Sequence, residues 1–524
     1  MSTMAIAGRI RTGARIALAV AAALAAVPAA QAQQASVTVH ADKPGPRVQR
    51  QIFGQFAEHL GTGIYGGLWV GRNSRIPNTD GFRNDVIAAL RAIKVPVIRW
   101  PGGCFADEYH WREGVGAPAK RPTKVNTHWG GVTEPNAVGT NEFMNFSEAV
   151  GAEPYVSGNV GSGTQQEMAD WIEYMTSPTA STLANERRAN GRKEPWKLPY
   201  FGLGNELWGC GGNMSPEYAA NETKRYATFV KAPANTRILK IASGASDDNY
   251  AWTEVMMREA GKNIDGIGVH YYTVPDTWKQ KGSAIGFDES SWARTLWKTQ
   301  RMDEYITRHS AIMDKYDPER RVWLAVDEWG TWYDPTPGSN PGFLQQQNSL
   351  RDALVAAINI NIFTRHAERV KMANIAQMIN VLQAMILTDG DKMTVTPSYQ
   401  AFKMLMPWQD ATQLPIDVTS PWYDKDAAAM PALNASAVRG ADGAIHLSLV
   451  NLDPANPLTV TLNVDGATAT TATGSVLTAD RMDAHNSIGA PVAVAPRDIA
   501  PVPVSDGKVT LTLPAKSVTV VTLH

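Results

Sequence analysis

Cysteine is scarce in this chain of 524 residues, which has only Cys104 and Cys210. One pair excludes a disulfide-built scaffold and leaves at most a single bridge. Metal-ligand spacing is missing as well. There is no His-Glu-x-x-His, no paired Cys-x-x-Cys, and no Gly-rich phosphate loop ending in Lys-Ser/Thr, so neither a metal nor a cofactor is expected. Past the N-terminus no apolar run approaches the ~20 residues that would span a bilayer. Charge of either sign is in balance, 49 basic residues against 50 acidic, for a net of −1. Such a surface offers nucleic acid or an anionic membrane no field to bind.

What is present describes a folded protein. Hydrophobic residues make up 44% and charged residues 19%, and the length exceeds what one core can organise, so at least two domains are expected. Sixteen Trp serve either to stack on sugar rings or to fill large cores, and the core explains most of them. At the N-terminus Arg9, Arg11 and Arg15 precede the apolar stretch Ile16 to Ala26, and Ala30-Gln31-Ala32 follows. This pattern reads as a signal peptide over residues 1–32, cut after Ala32, and predicts a secreted or periplasmic protein.

Residues 36–48 begin with strand-like alternation and stop at Pro-Gly-Pro. From residue 49 to 397 short apolar runs alternate with helical periodicity. Strand candidates are Ile52–Ala57, Val95–Trp100, Pro154–Ser157, Tyr200–Leu203, Ile238–Ala242, Ile264–Val269, Val322–Val326 and a run near Ile375–Ile379. Helical stretches include Gln165–Met175 and Leu350–Arg365. Eight strands alternating with helices predict an α/β domain, a (β/α)₈ TIM barrel. A doubly wound sheet would also alternate, but no Gly-x-Gly-x-x-Gly follows the first strand. Over 398–524 the pattern turns to Thr/Val-rich runs of period two separated by Asp442-Gly443 and Asp506-Gly507. They predict an antiparallel β-sandwich, which the strand at 36–48 would complete.

Two of the barrel runs end in glutamate: Pro199-Tyr-Phe-Gly-Leu-Gly-Asn-Glu206 and Val322-Trp-Leu-Ala-Val-Asp-Glu328. Carboxylates delivered to one end of parallel strands are the equipment of glycoside hydrolysis, one protonating the leaving oxygen and the other attacking or activating water. Asn-Glu pairs occur four times, at 141–142, 185–186, 205–206 and 221–222. Only Asn205-Glu206 closes an apolar strand run. Asp327 and Glu328 are adjacent, so strand alternation lets one of them face the barrel mouth, and the expectation is Glu328, with Asp327 turned toward a helix or loop. Phe56-Ala-Glu58-His59, Arg99-Trp-Pro-Gly-Gly-Cys104, His270-Tyr271-Tyr272 and Gln377 to Asn380 also follow strands. A salt-bridged Glu, a core aromatic or a satisfied His would explain each one alone, but their shared position at the strand ends makes them candidates for a sugar-binding rim.

The ordered set Gly54-Gln-Phe-Ala-Glu-His-Leu-Gly61, Arg99-Trp-Pro-Gly-Gly103, Trp129-Gly-Gly-Val-Thr133, Gly158-Asn-Val-Gly-Ser-Gly163, Gly204-Asn-Glu206, His270-Tyr-Tyr272, Asp327-Glu-Trp329 and Ala376-Gln-x-x-Asn-Val-Leu-Gln383 closely resembles glycoside hydrolase family 51, the α-L-arabinofuranosidases. The resemblance spans nearly the whole chain after residue 32. It implies a barrel joined to a β-sandwich and retaining hydrolysis of terminal α-L-arabinofuranosyl residues from arabinan, arabinoxylan or their oligosaccharides. Glu206 would be the acid/base and Glu328 the nucleophile. Glu58, Asn205, Tyr272 and Gln377 would bind the furanose, with Cys104 and His270 beside them. Many relatives carry Asn at the position of Cys104, where a thiol is a weaker donor than an amide. With Cys210 four residues after Glu206, both cysteines belong on the catalytic rim, either as a disulfide fixing that loop or as two free thiols. Homo-oligomers are a further implication of the resemblance. The rival readings are a β-xylosidase or endoglucanase on the same barrel and a non-catalytic polysaccharide-binding protein.

Overall fold

Eight short parallel strands close on themselves between Gly54 and Ile375: β1 (Gly54–Phe56), β2 (Val97–Trp100), β3 (Glu153–Gly158), β4 (Tyr200–Leu203), β5 (Leu239–Ser246), β6 (Gly266–Thr273), β7 (Trp323–Thr331) and β8 (Val370–Ile375). The last pairs with the first through Asn374 opposite Gly54, which completes the barrel. The computed structural model describes residues 33–233 and 236–524, so the expected signal peptide over 1–32 lies outside the described residues. Val97, Tyr155, Tyr200, Ile241, Ala325 and Met372 meet in one buried cluster inside the barrel. This apolar filling makes the barrel a packed core, not a pore. Among the described residues no helix is long and apolar enough to cross a membrane.

Helices return the chain from each strand to the next. The helix Leu350–Arg365 is buried on every side down to Thr364, and its polar members Arg351, Asp352, Asn359 and Asn361 are buried with the rest. Its far face meets the second domain, where Asn361 donates to Asn434 at 2.9 Å and Arg365 donates to the carbonyl of Ala435 at 3.1 Å.

Apart from the hairpin of Trp422–Lys425 with Ala428–Pro431, the C-terminal strands past residue 411 form two sheets. One has six strands, with Leu433–Arg439, Ile445–Asn451 and Ser517–Leu523 at its centre. The other has four, and Gln33–His40 lies within it, parallel to Leu458–Asp465 and antiparallel to Ile416–Thr419. Val37, Val39, Leu447, Leu449, Val460 and Leu511 are among the side chains packed between them.

Several elements differ from the pattern reading. The N-terminal strand ends at His40, well before residue 48. β8 is Val370–Ile375, several residues earlier than expected, because Met378 and Ile379 are buried at the barrel mouth outside the barrel sheet. The β/α alternation also continues past 397 in a helix, Pro397–Met404, whose Thr396 side chain accepts from the Tyr399 amide. That N-cap starts a helix just where the helical pattern of the sequence is expected to give way to the sandwich.

Candidate active site

Glu206 follows β4 through a tight turn. Gly204 sits at φ +78°, where a Cβ would lie 2.7 Å from Leu207, and Glu206 itself takes φ +43°. A glutamate held in the left-handed region signals a backbone shaped for the position of its side chain. Asp107, three residues after Cys104, sustains that turn. Its Oδ2 accepts the Asn205 amide at 2.7 Å, and its Oδ1 accepts the amides of Val160 and Gly161 at 2.8 Å each. One carboxylate thereby ties together the chain after β2, β3 and β4. The Glu206 side chain pairs with His270 Nδ1 at 2.9 Å. Its carboxyl titrates above the ordinary glutamate range, first because it is buried and also because Glu328 repels its charge, with the His270 hydrogen bond pulling the other way.

Glu328 lies within β7, which runs three residues beyond it to Thr331. Arg99 Nη1 donates to its Oε2 at 3.0 Å, and the Tyr272 hydroxyl donates to its Oε1 at 2.8 Å. Arg99 also donates to the Asp327 carbonyl at 2.8 Å and to Asn205 Oδ1 at 2.5 Å. One buried guanidinium therefore fixes residues from β4 and β7 together. Asp327 is not turned outward. Tyr155 donates to its carboxylate at 2.7 Å, and His270 Nε2 lies 3.4 Å from it. The register of β7 shifts against both neighbours, between Gly268 and His270 on one side and between Val326 and Trp329 on the other. Such irregularity breaks strict alternation and aims both carboxylates into the barrel. Burial opposes the Asp327 charge, but Arg99 and His270 hold its carboxyl below the usual range. His270 is also buried, and the carboxylates of Glu328, Asp327 and Glu206 nevertheless push it up to about 10.

One atom each of Glu206, His270 and Glu328 lie within 4.8 Å of one another. Beside them Glu58 accepts from the amides of Gly103 and Phe105 at 2.9 and 3.3 Å, from Trp129 Nε1 at 3.0 Å, and from Gln377 Nε2 at 2.7 Å. Burial, reinforced by the Glu328 charge, raises Glu58 to about 7. Gln377 Oε1 is buried and has no hydrogen-bond partner. Cys104 and Cys210 are joined in a disulfide, with Cα atoms 5.5 Å apart. The sulfur of Cys104 therefore carries no S–H to offer. Outward from the pocket runs a chain of rings, Tyr272 to Trp332 at 4.9 Å and Trp332 to the exposed Trp278 at 5.4 Å.

The structure brings Glu58, Cys104, Asn205, Glu206, His270, Tyr272, Glu328 and Gln377 to one face. Sequence reasoning named Arg99 only as the start of a rim segment, without a role of its own, and did not name Asp107. An arginine inside the apolar run Val97-Ile-Arg-Trp100 was a usable signal, because a guanidinium in a buried strand must find partners. Asp107 left no such trace.

Comparison with known proteins agrees with this geometry. The profile described as "Alpha-L-arabinofuranosidase 1 domain" matches residues 89–291, and "Alpha-L-arabinofuranosidase C-terminal domain" matches 327–517. An "Intracellular exo-alpha-L-arabinofuranosidase" from Bacteroides ovatus is 48% identical over 95% of this chain and 98% of its own. The crystal structure of a family 51 arabinofuranosidase from Xanthomonas axonopodis pv. citri superposes with TM-score 0.93 at 59% identity, over 94% of this chain and 100% of that one. An arabinose complex of the Thermotoga maritima α-L-arabinofuranosidase gives 0.83 at 30% identity, over 93% and 99%.

One expectation is overturned here. The Bacteroides relative is named intracellular and aligns with almost the whole chain, which points away from a signal peptide and from a secreted or periplasmic enzyme. A basic stretch followed by an Ala-rich apolar run is a compositional pattern, and composition alone does not establish that a leader is read or cut. Barrel, mouth and relatives agree on the rest: this chain belongs to glycoside hydrolase family 51, the α-L-arabinofuranosidases, and hydrolyses arabinofuranosyl linkages.

Proposed function

We propose that the enzyme releases terminal α-L-arabinofuranosyl residues from arabinan, arabinoxylan or their oligosaccharides by double displacement, with Glu328 as nucleophile and Glu206 as acid/base. The observation that carries this reading is the approach of the two carboxylates, one oxygen of each within 4.8 Å. Retention calls for carboxyl groups about 5–5.5 Å apart, whereas inversion needs about 6.5–9.5 Å to admit a water. Their surroundings divide the labour. Glu328 accepts from Arg99 and Tyr272, and these donors fix both of its oxygens in place for attack on the anomeric carbon. Glu206 is pushed toward its protonated form, so it holds the proton that the departing oxygen requires. After the glycosyl–enzyme forms, Glu206 is a carboxylate and takes a proton from water, which releases arabinose with retained configuration. Glu58, Asn205 and Gln377 are assigned to the furanose hydroxyls, supported by the unpaired Gln377 Oε1.

Hydrolysis of 4-nitrophenyl α-L-arabinofuranoside beside the β-D-xylopyranoside, by wild type and Glu328→Ala, tests the reading. Arabinofuranoside activity should fall on the order of 10⁴-fold or more in the variant. Activity on the xyloside alone would favour the β-xylosidase, and activity on neither would favour an endo-acting enzyme or a binding protein. We extend the reading to self-association, supported by the exposed Trp297 and Trp422, which light scattering on the purified protein measures.

A further inference from the structure

The disulfide stands against the acid/base carboxylate. Cys210 Sγ lies 3.6 Å from Glu206 Oε2 and 3.9 Å from Asn205 Nδ2. Cys104, Cys210 and Glu206 each offer one ligand atom, these atoms all lie within 4.8 Å of one another, and all three residues are partly exposed. A zinc tetrahedron with Zn–S bonds of about 2.3 Å separates its ligand atoms by about 3.5–3.8 Å, so once the bond between them is broken the two sulfurs must part, by side-chain rotation, to seat an ion beside Glu206. While the bridge is intact the sulfurs are poor ligands, because it is the thiolate that binds metal.

We infer that reduction of the Cys104–Cys210 bridge converts this corner of the mouth into a site for a thiophilic divalent cation, with Zn²⁺ as the type, and that occupancy stops hydrolysis. A dithiol attacks the bridge and becomes a cyclic disulfide, passing two electrons and two protons to the protein as two thiols. Cation binding then releases both thiol protons and the proton carried by Glu206. The ion is held by two thiolates and Glu206, with water in the fourth position. The cation occupies the carboxylate that otherwise carries the catalytic proton, so the inhibition half of this inference rests on the acid/base reading of Glu206. The bridge joins residues 106 positions apart, and the ligand set consequently exists only in the folded chain.

The full chain is reduced with dithiothreitol under argon, desalted, shown to carry two free thiols, and titrated with Co²⁺ as the spectroscopic probe. Expected are thiolate-to-cobalt charge-transfer bands that saturate near one equivalent per chain and are absent from the oxidised protein. One equivalent of Zn²⁺ should lower hydrolysis at least tenfold in the reduced enzyme alone, with recovery on adding a chelator. Glu206→Gln keeps both thiols and should bind Co²⁺ at least tenfold more weakly. Cys104→Ser/Cys210→Ser, checked for folding by circular dichroism, should show no bands. Missing bands in the reduced wild type overturn the site. Equal inhibition of oxidised and reduced enzyme overturns it as well. Saturating bands with undiminished hydrolysis would leave the cation site standing, overturn the inhibition, and reject Glu206 as acid/base.

Discussion

The sandwich and the barrel mouth follow opposite rules. In Lys508–Leu513 the side chains alternate between solvent and core one by one, with Val509, Leu511 and Leu513 inside and Lys508, Thr510 and Thr512 outside. Polar groups there stay in water, and apolar area supplies the stability. At the mouth Glu58, Arg99, Asp107, His270, Asp327 and Glu328 are all buried, and Glu206 adopts a left-handed backbone. Burying charge is unfavourable unless it is paired and hydrogen-bonded, so every one of these groups is held by named partners. The sandwich is built for stability. The mouth keeps charges in fixed positions at a cost in stability, and this contrast is what an active site requires.

The contrast can be broken most directly at Glu206. Glu206→Ala should lower hydrolysis of natural arabinosides by about 10²–10⁴-fold, the usual contribution of a general acid. Aryl arabinosides with good leaving groups need little protonation and should lose far less in the glycosylation step. The raised Glu206 pKa sets the sign of the pH dependence. The acid stays protonated up to that value, and kcat/KM falls as the pH rises through it. The alkaline fall should therefore disappear in the variant when a good leaving group is used. Equal loss on both substrate classes, with the fall unchanged, would remove Glu206 from the acid role.

A pair of substitutions compares the two regions on one scale. Arg99→Met leaves Asp327 and Glu328 with His270 as their remaining buried cation and should cost about 3–5 kcal/mol of stability, together with most of kcat. Leu447→Ala, at a fully buried position of the sandwich core, should cost about 2–5 kcal/mol and leave kcat unchanged in the protein that remains folded. Urea unfolding and initial rates on the same samples separate the two. A loss of kcat in Leu447→Ala would mean that the sandwich is coupled to the site and is not merely a support.

What could be read from the sequence follows the same division. Strand periodicity, the β/α alternation and the two apolar runs that close on Glu206 and Glu328 are local signals, and they mark the barrel, the sandwich and the two carboxylates, although β7 runs on past Glu328 to Thr331. The parts that escaped depend on distance or on broken periodicity. Asp327 faces inward because β7 slips against both neighbours, and period-two reasoning cannot see a slip. Asp107 acts on backbone amides of Val160 and Asn205, partners far along the chain with no side-chain complement to suggest them. Lateness of the expected β8 has a related cause, since Met378 and Ile379 are apolar for packing at the mouth and read like a strand.

The smallest expected effect tests where the mouth ends. Trp278 is 53% exposed and touches Trp332 edge to face, and Trp332 in turn meets Tyr272 beside Glu328. An exposed indole at the outer end of such a chain has no structural debt to the core, and a sugar ring beyond the cleaved linkage could lie on it. Trp278→Ala should raise KM for arabinoxylan or arabinan fragments by about two- to twelve-fold, the equivalent of roughly 0.5–1.5 kcal/mol for an aromatic contact. The same change should leave kcat, and KM for 4-nitrophenyl α-L-arabinofuranoside, within about twofold, because that substrate carries no sugar beyond its arabinose. Equal losses on both substrates would mean that Trp278 works through Trp332 and Tyr272 to position the site. Trp278 would then belong to the buried machinery of the mouth, and the boundary between mouth and open surface would lie farther out than the rings suggest.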